Sequence, residues 1–365
     1  MSNVFSPVPS YQPASGPPEY QQLPPRDTQQ GSWGRSCLFA LLGLVAGVFL
    51  VGQIFWLFRP RVEMPPKVRE QYFSHDRRAW DKVAIITLEG MILDEEEGFV
   101  KRQIDQALQD DRVKAVVLRV NSPGGTITDA DFLYHHLSKL RDKKPLVVSM
   151  GSVAASGAYY VSMAVGHRPD TIFAEPTTWT GSIGVIIFHM NVEQLLARLG
   201  VETDPITSAP LKDMGSLFRK MTPEERGIFQ GLVDKSLARF KEVIRSGRAK
   251  FADDPAALDN IATGQIFTAK EALELGLVDR IGFLEDAVER AIELAGLDPS
   301  QVCVIRYKRE VGLADLIWGS DFISSKWYDV TLTDLRKRLA LLSPRAFYLM
   351  TGSLLELQWL ELARP

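Results

Sequence analysis

Two consecutive apolar runs, each ending in a turn of small residues and each followed by a helical pattern, constrain the fold more than any other feature of the chain. The first is Val113-Lys-Ala-Val-Val-Leu-Arg-Val120, then Asn121-Ser-Pro-Gly-Gly-Thr126 and a helix to about Leu140. The second is Pro145-Leu-Val-Val-Ser-Met150, then a small-residue stretch through Ala154, Ala155, Ser156 and Gly157 that opens a helix over 157–164. Short runs dense in β-branched residues read as strands buried on both faces, which βα units with parallel strands require. If the two strands are neighbours, both turns fall at their C-terminal ends. That is one edge of the sheet, the edge where ligands bind in α/β folds.

The two turns suggest chemistry as well as geometry. Ser156 would stand at a helix N-terminus, where free backbone N–H groups and the helix dipole favour the negative charge that forms when a hydroxyl attacks a carbonyl. Gly124 and Gly125 can present N–H groups without side-chain obstruction, as an oxyanion hole requires. Each also has a plainer reading: small residues let strand and helix pack closely, and Gly and Pro punctuate ordinary turns.

Strand and helix patterns alternate on both sides of this pair. Val83–Leu88 reads as a strand, Glu97–Leu108 as a helix, Asp170–Ala174 as a strand and Thr180–Ile187 as another strand containing Ser182. The acidic run Asp94 to Glu97 suits a helix start, and without histidine partners it is a poor metal site. Asn191–Leu199 reads as a helix, and Lys212 follows in a polar loop. A lysine in such a loop is ordinarily a solvated surface charge. Thr222-Pro-Glu-Glu-Arg226 carries the signals of a helix start, with Thr222 as cap and Pro223 in the first turn, and the helix should run to about Lys250. A helix near 269–275, another reaching Ala295 and a strand Val302–Tyr307 complete the alternation.

Upstream, Cys37 to Phe58 is a run of 22 residues without a charge. At helical rise it spans about 33 Å, enough for a bilayer core of about 30 Å, and it lacks the small-residue end of a cleaved signal peptide. It is expected to be an uncleaved transmembrane anchor. The expected organisation is a disordered Pro/Gln-rich tail over 1–36, the anchor over 37–58 and a linker over 59–80. An α/β domain over 81–300 and a C-terminal extension over 301–365, for packing or an oligomer interface, complete it. Arg59, Arg61, Lys67 and Arg69 follow the anchor while only Arg26 and Arg35 precede it nearby, so positive charge alone would put the domain in the cytoplasm. A net charge of −3 without a basic tract gives no reason to expect nucleic acid. The five histidines lack metal-ligand spacing, and neither a metal nor a cofactor is expected.

Five stretches in order resemble the signal peptide peptidase A family. They are Asn121-Ser-Pro-Gly-Gly125, Ala155-Ser-Gly-Ala-Tyr-Tyr160, Thr180-Gly-Ser-Ile-Gly-Val185, Lys212-Asp213, and Gly264-Gln-Ile-Phe-Thr-Ala-Lys-Glu-Ala-Leu-Glu-Leu-Gly-Leu-Val-Asp279. The likeness covers roughly residues 83 to 296 and a single copy of the family's unit. It implies the fold shared by ClpP and the crotonases, and a serine peptidase with a Ser-Lys dyad. Position by position it implies Ser156 as nucleophile, Lys212 as general base and Ser182 as the serine that orients the lysine. Backbone N–H groups near Gly125 and at Gly157 would hold the oxyanion. It also implies signal peptides or other membrane-released peptides as substrates, a domain on the extracytoplasmic side, and a homo-oligomer in which neighbouring copies share each site. Ala158 stands where a second glycine is usual, and Ala209 replaces a glycine common before the lysine.

A lysine is a base only when neutral, and bringing an ammonium from a pKa of about 10.4 to about 7 takes about 4.6 kcal/mol of disfavoured charging. Burial has to supply that. Two alternatives compete: a Ser-His-Asp site on the same fold, using His167 or His189, and a membrane-anchored assembly scaffold without activity.

Overall fold

The computed structural model describes residues 68–93, 95–96 and 98–310, and the backbone alone of 346–349. The stretches expected to be a tail and, at Cys37–Phe58, a membrane anchor, together with most of the C-terminal extension, lie outside these residues. Among the described residues no helix is long and apolar enough to cross a membrane.

The elements follow in order. β1 is Val68–His75, β2 Asp81–Glu89, α1 Phe99–Gln109, β3 Val113–Ser122, β4 Gly124–Thr126 and α2 Ile127–Arg141. β5 is Leu146–Ala155, α3 Gly157–Ser162, β6 Ile172–Ala174, β7 Trp179–Gly181, β8 Ile186–Ile187 and α4 Glu193–Arg198. α5 is Pro223–Gly247, α6 Ala249–Asp253, α7 Pro255–Ile261, β9 Ile266–Thr268 and α8 Ala269–Leu275. β10 is Arg280–Ile281, α9 Leu284–Leu294, β11 Val302–Arg309 and β12 Ala346–Leu349.

The main sheet runs β1-β11-β2-β3-β5-β6-β10, antiparallel at the β1 edge and parallel elsewhere. Its strands alternate with period two. Ala84, Ile86 and Leu88 point into the larger core, with Ile104 of α1, Leu133 of α2 and Phe240 of α5, while Val83 and Ile85 point to the other face against α9. Both faces are therefore covered, which is why the central strands are almost wholly apolar.

The sequence expectations hold for the central strands and the long helix and shift elsewhere. Val68–His75, inside the stretch read as a linker, is an edge strand on β11, and β11 itself lies beside β2, so the α/β domain continues to Arg309. The single strand expected over Thr180–Ile187 is two, because Gly181 at φ +84° and Ser182 at +49° turn the chain between β7 and β8.

Candidate active site

β3 and β5 are parallel neighbours, and this brings the two small-residue turns together. Val120 lies opposite Met150 and Ser122 opposite Ala154, so β5 carries two extra residues over that interval and bulges. The Asn121 side-chain oxygen accepts the N–H of Val153 at 3.2 Å inside the bulge. The first half of β5 pairs with β6 and its end, Val153 to Ala155, pairs with β7.

Ser156 follows at once, with φ 54° and ψ −116°. A non-glycine residue held there costs about 1–3 kcal/mol and persists only when the surroundings fix it. They do so from both sides. Its N–H donates to the Gly181 carbonyl at 2.7 Å, and its own carbonyl accepts from Tyr160 N–H at 2.9 Å, closing the first turn of α3. The residue is fully buried, and its Oγ has no hydrogen-bond partner among the described residues. A buried hydroxyl left without a partner is costly, which marks it as a group held ready for a partner that arrives later. The Gly157 N–H stands at the first position of α3, where a helix offers no acceptor of its own. Ala158 is helical, so the absence of a second glycine costs nothing.

The glycine turn is built from β4. Ile92 N–H donates to the Gly124 carbonyl at 2.9 Å and Thr126 N–H donates to the Ile92 carbonyl at 3.0 Å, so Gly125 is the residue opposite Ile92. Successive backbone groups along a strand point to opposite sides, so the N–H and C=O of Gly125 itself face away from Ile92. A Cβ on Gly125 would lie 2.0 Å from the Ile92 carbonyl oxygen, and no other residue fits. The edge opposite Ile92 is the one that β12 takes, pairing antiparallel with β4, Tyr348 opposite Gly125, and on its other side with β8. The position between β4 and β8 is thus shaped for an extended strand.

Ser182 is nearly buried, and its N–H donates to the Gln265 carbonyl at 2.7 Å. Gly264 N–H donates to the Ile183 carbonyl at 3.0 Å. The stretch beginning Gly264-Gln-Ile-Phe therefore braces the turn of Ser182, whose neighbour Gly181 holds Ser156. A Cβ on Gly181 would meet the Phe267 ring at 2.6 Å. This bracing role of Gly181, Gln265 and Phe267 escaped sequence reasoning, because nothing local to 264–268 says which strand it pairs with.

Lys212 stands apart. It is exposed, on a surface turn closed by its own N–H to the Ala209 carbonyl at 3.0 Å, and it makes no hydrogen bond to Ser156. Neither histidine of the competing reading bonds to Ser156: the His167 ring nitrogen Nε2 lies 2.7 Å from the Arg245 carbonyl, and His189 Nε2 is buried with no hydrogen-bond partner among the described residues. Among the described residues no group of histidine, cysteine and carboxylate side chains could hold a metal ion.

Comparison with known proteins agrees with the geometry. Peptidase family S49 matches over residues 138–298, and the Clp protease family over 69–175. A putative protease of Synechocystis is 39% identical over 221 residues, covering 60% of this chain and 77% of that protein. A putative signal peptide peptidase SppA of Enterococcus faecium is 36% identical over 234 residues, covering 64% and 65% respectively. Protease 4 of Salmonella typhi is 36% identical over 246 residues, 65% of this chain and only 38% of that longer protein. With a strained, unpartnered serine at a helix N-terminus on a ClpP-like α/β sheet, the chain belongs to peptidase family S49, the SppA family, and is a serine peptidase.

Proposed function

We propose that this is a membrane-anchored endopeptidase in which Ser156 attacks the scissile carbonyl, Lys212 of a neighbouring copy takes its proton and Ser182 orients that lysine. Ser156 would form an acyl-enzyme, and water activated by the same lysine would release it. The N–H groups of Gly125 and Gly157 would hold the oxyanion. The substrate would lie as an extended strand between β4 and β8, its main chain bonded to the Gly125 edge. Signal peptides or other membrane-released peptides fit such a slot, delivered to a domain held on the extracytoplasmic side by Cys37–Phe58.

The observation that carries this reading is the buried Oγ of Ser156, without a hydrogen-bond partner among the described residues, at the N-terminus of α3. Lys212 in trans has two supports. An exposed lysine has to be dehydrated before it can act as a base, and a second subunit closing over the turn does that. The same segment also exposes apolar side chains a lone subunit has no use for: Met190 at 53%, Leu199 at 69% and Ile206 at 100%. Head-to-tail contacts of this kind close into rings, and a common membrane anchor sets every copy the same way up.

Coexpression of Ser156→Ala with Lys212→Ala chains, each inactive alone and each carrying a different tag, tests it. Mixed assemblies should regain peptidase activity at the junctions where an intact serine meets an intact lysine. Zero activity in assemblies shown by their tags to be mixed would place the dyad within one chain.

A further inference from the structure

The turn over residues 208–215 is held by backbone bonds within itself, Lys212 to Ala209, Met214 to Leu211 and Ser216 to Asp213. Such a turn on the surface has little to fix where its lysine points. Among the described residues, apart from Ser216 Oγ accepting the Phe218 N–H at 3.3 Å at its end, the side-chain hydrogen bonds that tie it to the rest of the chain all run between Asp213 and Arg219. The Arg219 guanidinium grips the Asp213 carboxylate with both Nε and Nη2, each at 2.8 Å. The other side of the same guanidinium reaches Glu225, from Nη1 at 3.1 Å and also from Nη2. Its Nη1 further donates to the Lys220 carbonyl at 3.1 Å.

Glu225 is a firm anchor. Its side chain is 1% exposed, and it forms the capping box of α5, accepting the Thr222 N–H at 2.9 Å while its own N–H donates to Thr222 Oγ1 at 3.2 Å. From there α5 runs into the core, where the Phe240 ring meets Tyr160 of the nucleophile helix edge-on at 5.2 Å. The planar fork of arginine suits two carboxylates at fixed angles, as lysine's point charge does not. Both carboxyls are held below the ordinary carboxylate range, first of all by their hydrogen bonds to Arg219.

We propose that Arg219, clasped between Asp213 and Glu225, is the positioning residue that fixes the turn carrying Lys212, so that the first turn of α5 sets where the base points. This rests on the reading of Lys212 as the base. A helix-capping role alone would need Glu225 and Thr222 but would leave the bidentate grip on Asp213, the residue next to the lysine, without a use.

The test compares Asp213→Asn, Asp213→Glu, Arg219→Gln, the double variant Asp213→Asn with Arg219→Gln, and Lys212→Ala. Each is assembled in the full-length chain. The measurements are kcat and KM on a peptide substrate, the labelling rate of Ser156 by a fluorophosphonate, assembly size and melting temperature. Asp213→Asn is the gentle probe, because the Arg219–Glu225 pair survives it. It should lower kcat and the labelling rate by about 10²-fold, the cost of a displacement of about 1 Å, with KM, assembly and melting close to native. Asp213→Glu should recover part of that loss. The double variant should lose no more than the worse single one, since the three groups act as one unit.

Native kcat in Asp213→Asn, or a loss confined to KM, to assembly or to melting, overturns the proposal. An active Lys212→Ala sinks the assignment of the base itself. An inactive Lys212→Ala beside a native Asp213→Asn sinks the clamp alone.

Discussion

Replacing Gly125 by alanine puts the oxyanion reading under its hardest test. The added methyl would stand 2.0 Å from the Ile92 carbonyl oxygen, so about 1.4 Å of separation has to be made before ordinary contact is reached. Ile92 and β4 are both buried, so both sides have to give and β4 takes part of that movement. The two hydrogen bonds that bracket Gly125, at 2.9 and 3.0 Å, break or stretch, and at about 1 kcal/mol each the fold loses about 2 kcal/mol. A domain of this size then melts about 4–8 °C lower and stays folded. The N–H of Gly125 moves with β4, away from where the oxyanion forms. Loss of one such donor costs about 10²–10³ in kcat, or about 2.7–4 kcal/mol of transition-state stabilisation. The assay is steady-state hydrolysis of a fluorogenic peptide, with melting temperature measured alongside. Because the donor acts in the transition state, kcat should fall, whatever happens to KM as the substrate-seating edge of β4 shifts. A folded Gly125→Ala enzyme with kcat within about tenfold of native, or one affected only in KM, would refute the role given to Gly125.

Two further outcomes follow from particular contacts. Truncation after residue 345 removes β12 from the edge of Gly124–Thr126 that an extended peptide would need, and the truncated enzyme should show a lower KM for peptides at unchanged kcat; an unchanged or higher KM contradicts this. The Glu225 carboxyl is held below its ordinary value of about 4.3 by Arg219 and by the Thr222 N–H, so its contribution to stability is full above about pH 4.3 and is lost as pH falls through the depressed folded value. Melting temperature followed from pH 6 downward should therefore drop less steeply below about pH 4 in Glu225→Gln than in the native chain, and parallel curves would remove Glu225 from the acid response.

Much of the fold was legible in the sequence because its causes are local. Strands covered on both faces are apolar at most positions, so Val113–Val120 and Leu146–Met150 declared themselves, and the Thr222-Pro-Glu-Glu start needs only its own residues to cap α5. Ser156 and Gly125 were legible as candidates for the same reason: a hydroxyl at a strand-to-helix turn and a Pro-Gly-Gly turn after a strand each leave a mark within a few residues, although the Ile92 carbonyl that excludes a Cβ at Gly125 lies far upstream. The edge strand β1 gave no such mark. It is half exposed, it alternates weakly, and only its partner β11, more than 200 residues later, makes it a strand. Its pairing is a fact of topology and not of composition.

The strain at Ser156 also belongs to the tertiary structure alone. Its positive φ is paid for by the Gly181 carbonyl, itself fixed by a turn that Gln265 braces from 83 residues downstream of Ser182. Nor could the sequence show that Arg219 joins Asp213 to a buried Glu225, since a charge in a polar loop reads as solvated until its partner is known. Residue types near in sequence determined the strands, the caps and the reactive hydroxyl, because short-range sterics and hydrogen bonding decide those. Which turns meet, which backbone is strained and which charges are gripped depended on contacts between segments far apart in the chain, and those exist only once the sheet has closed.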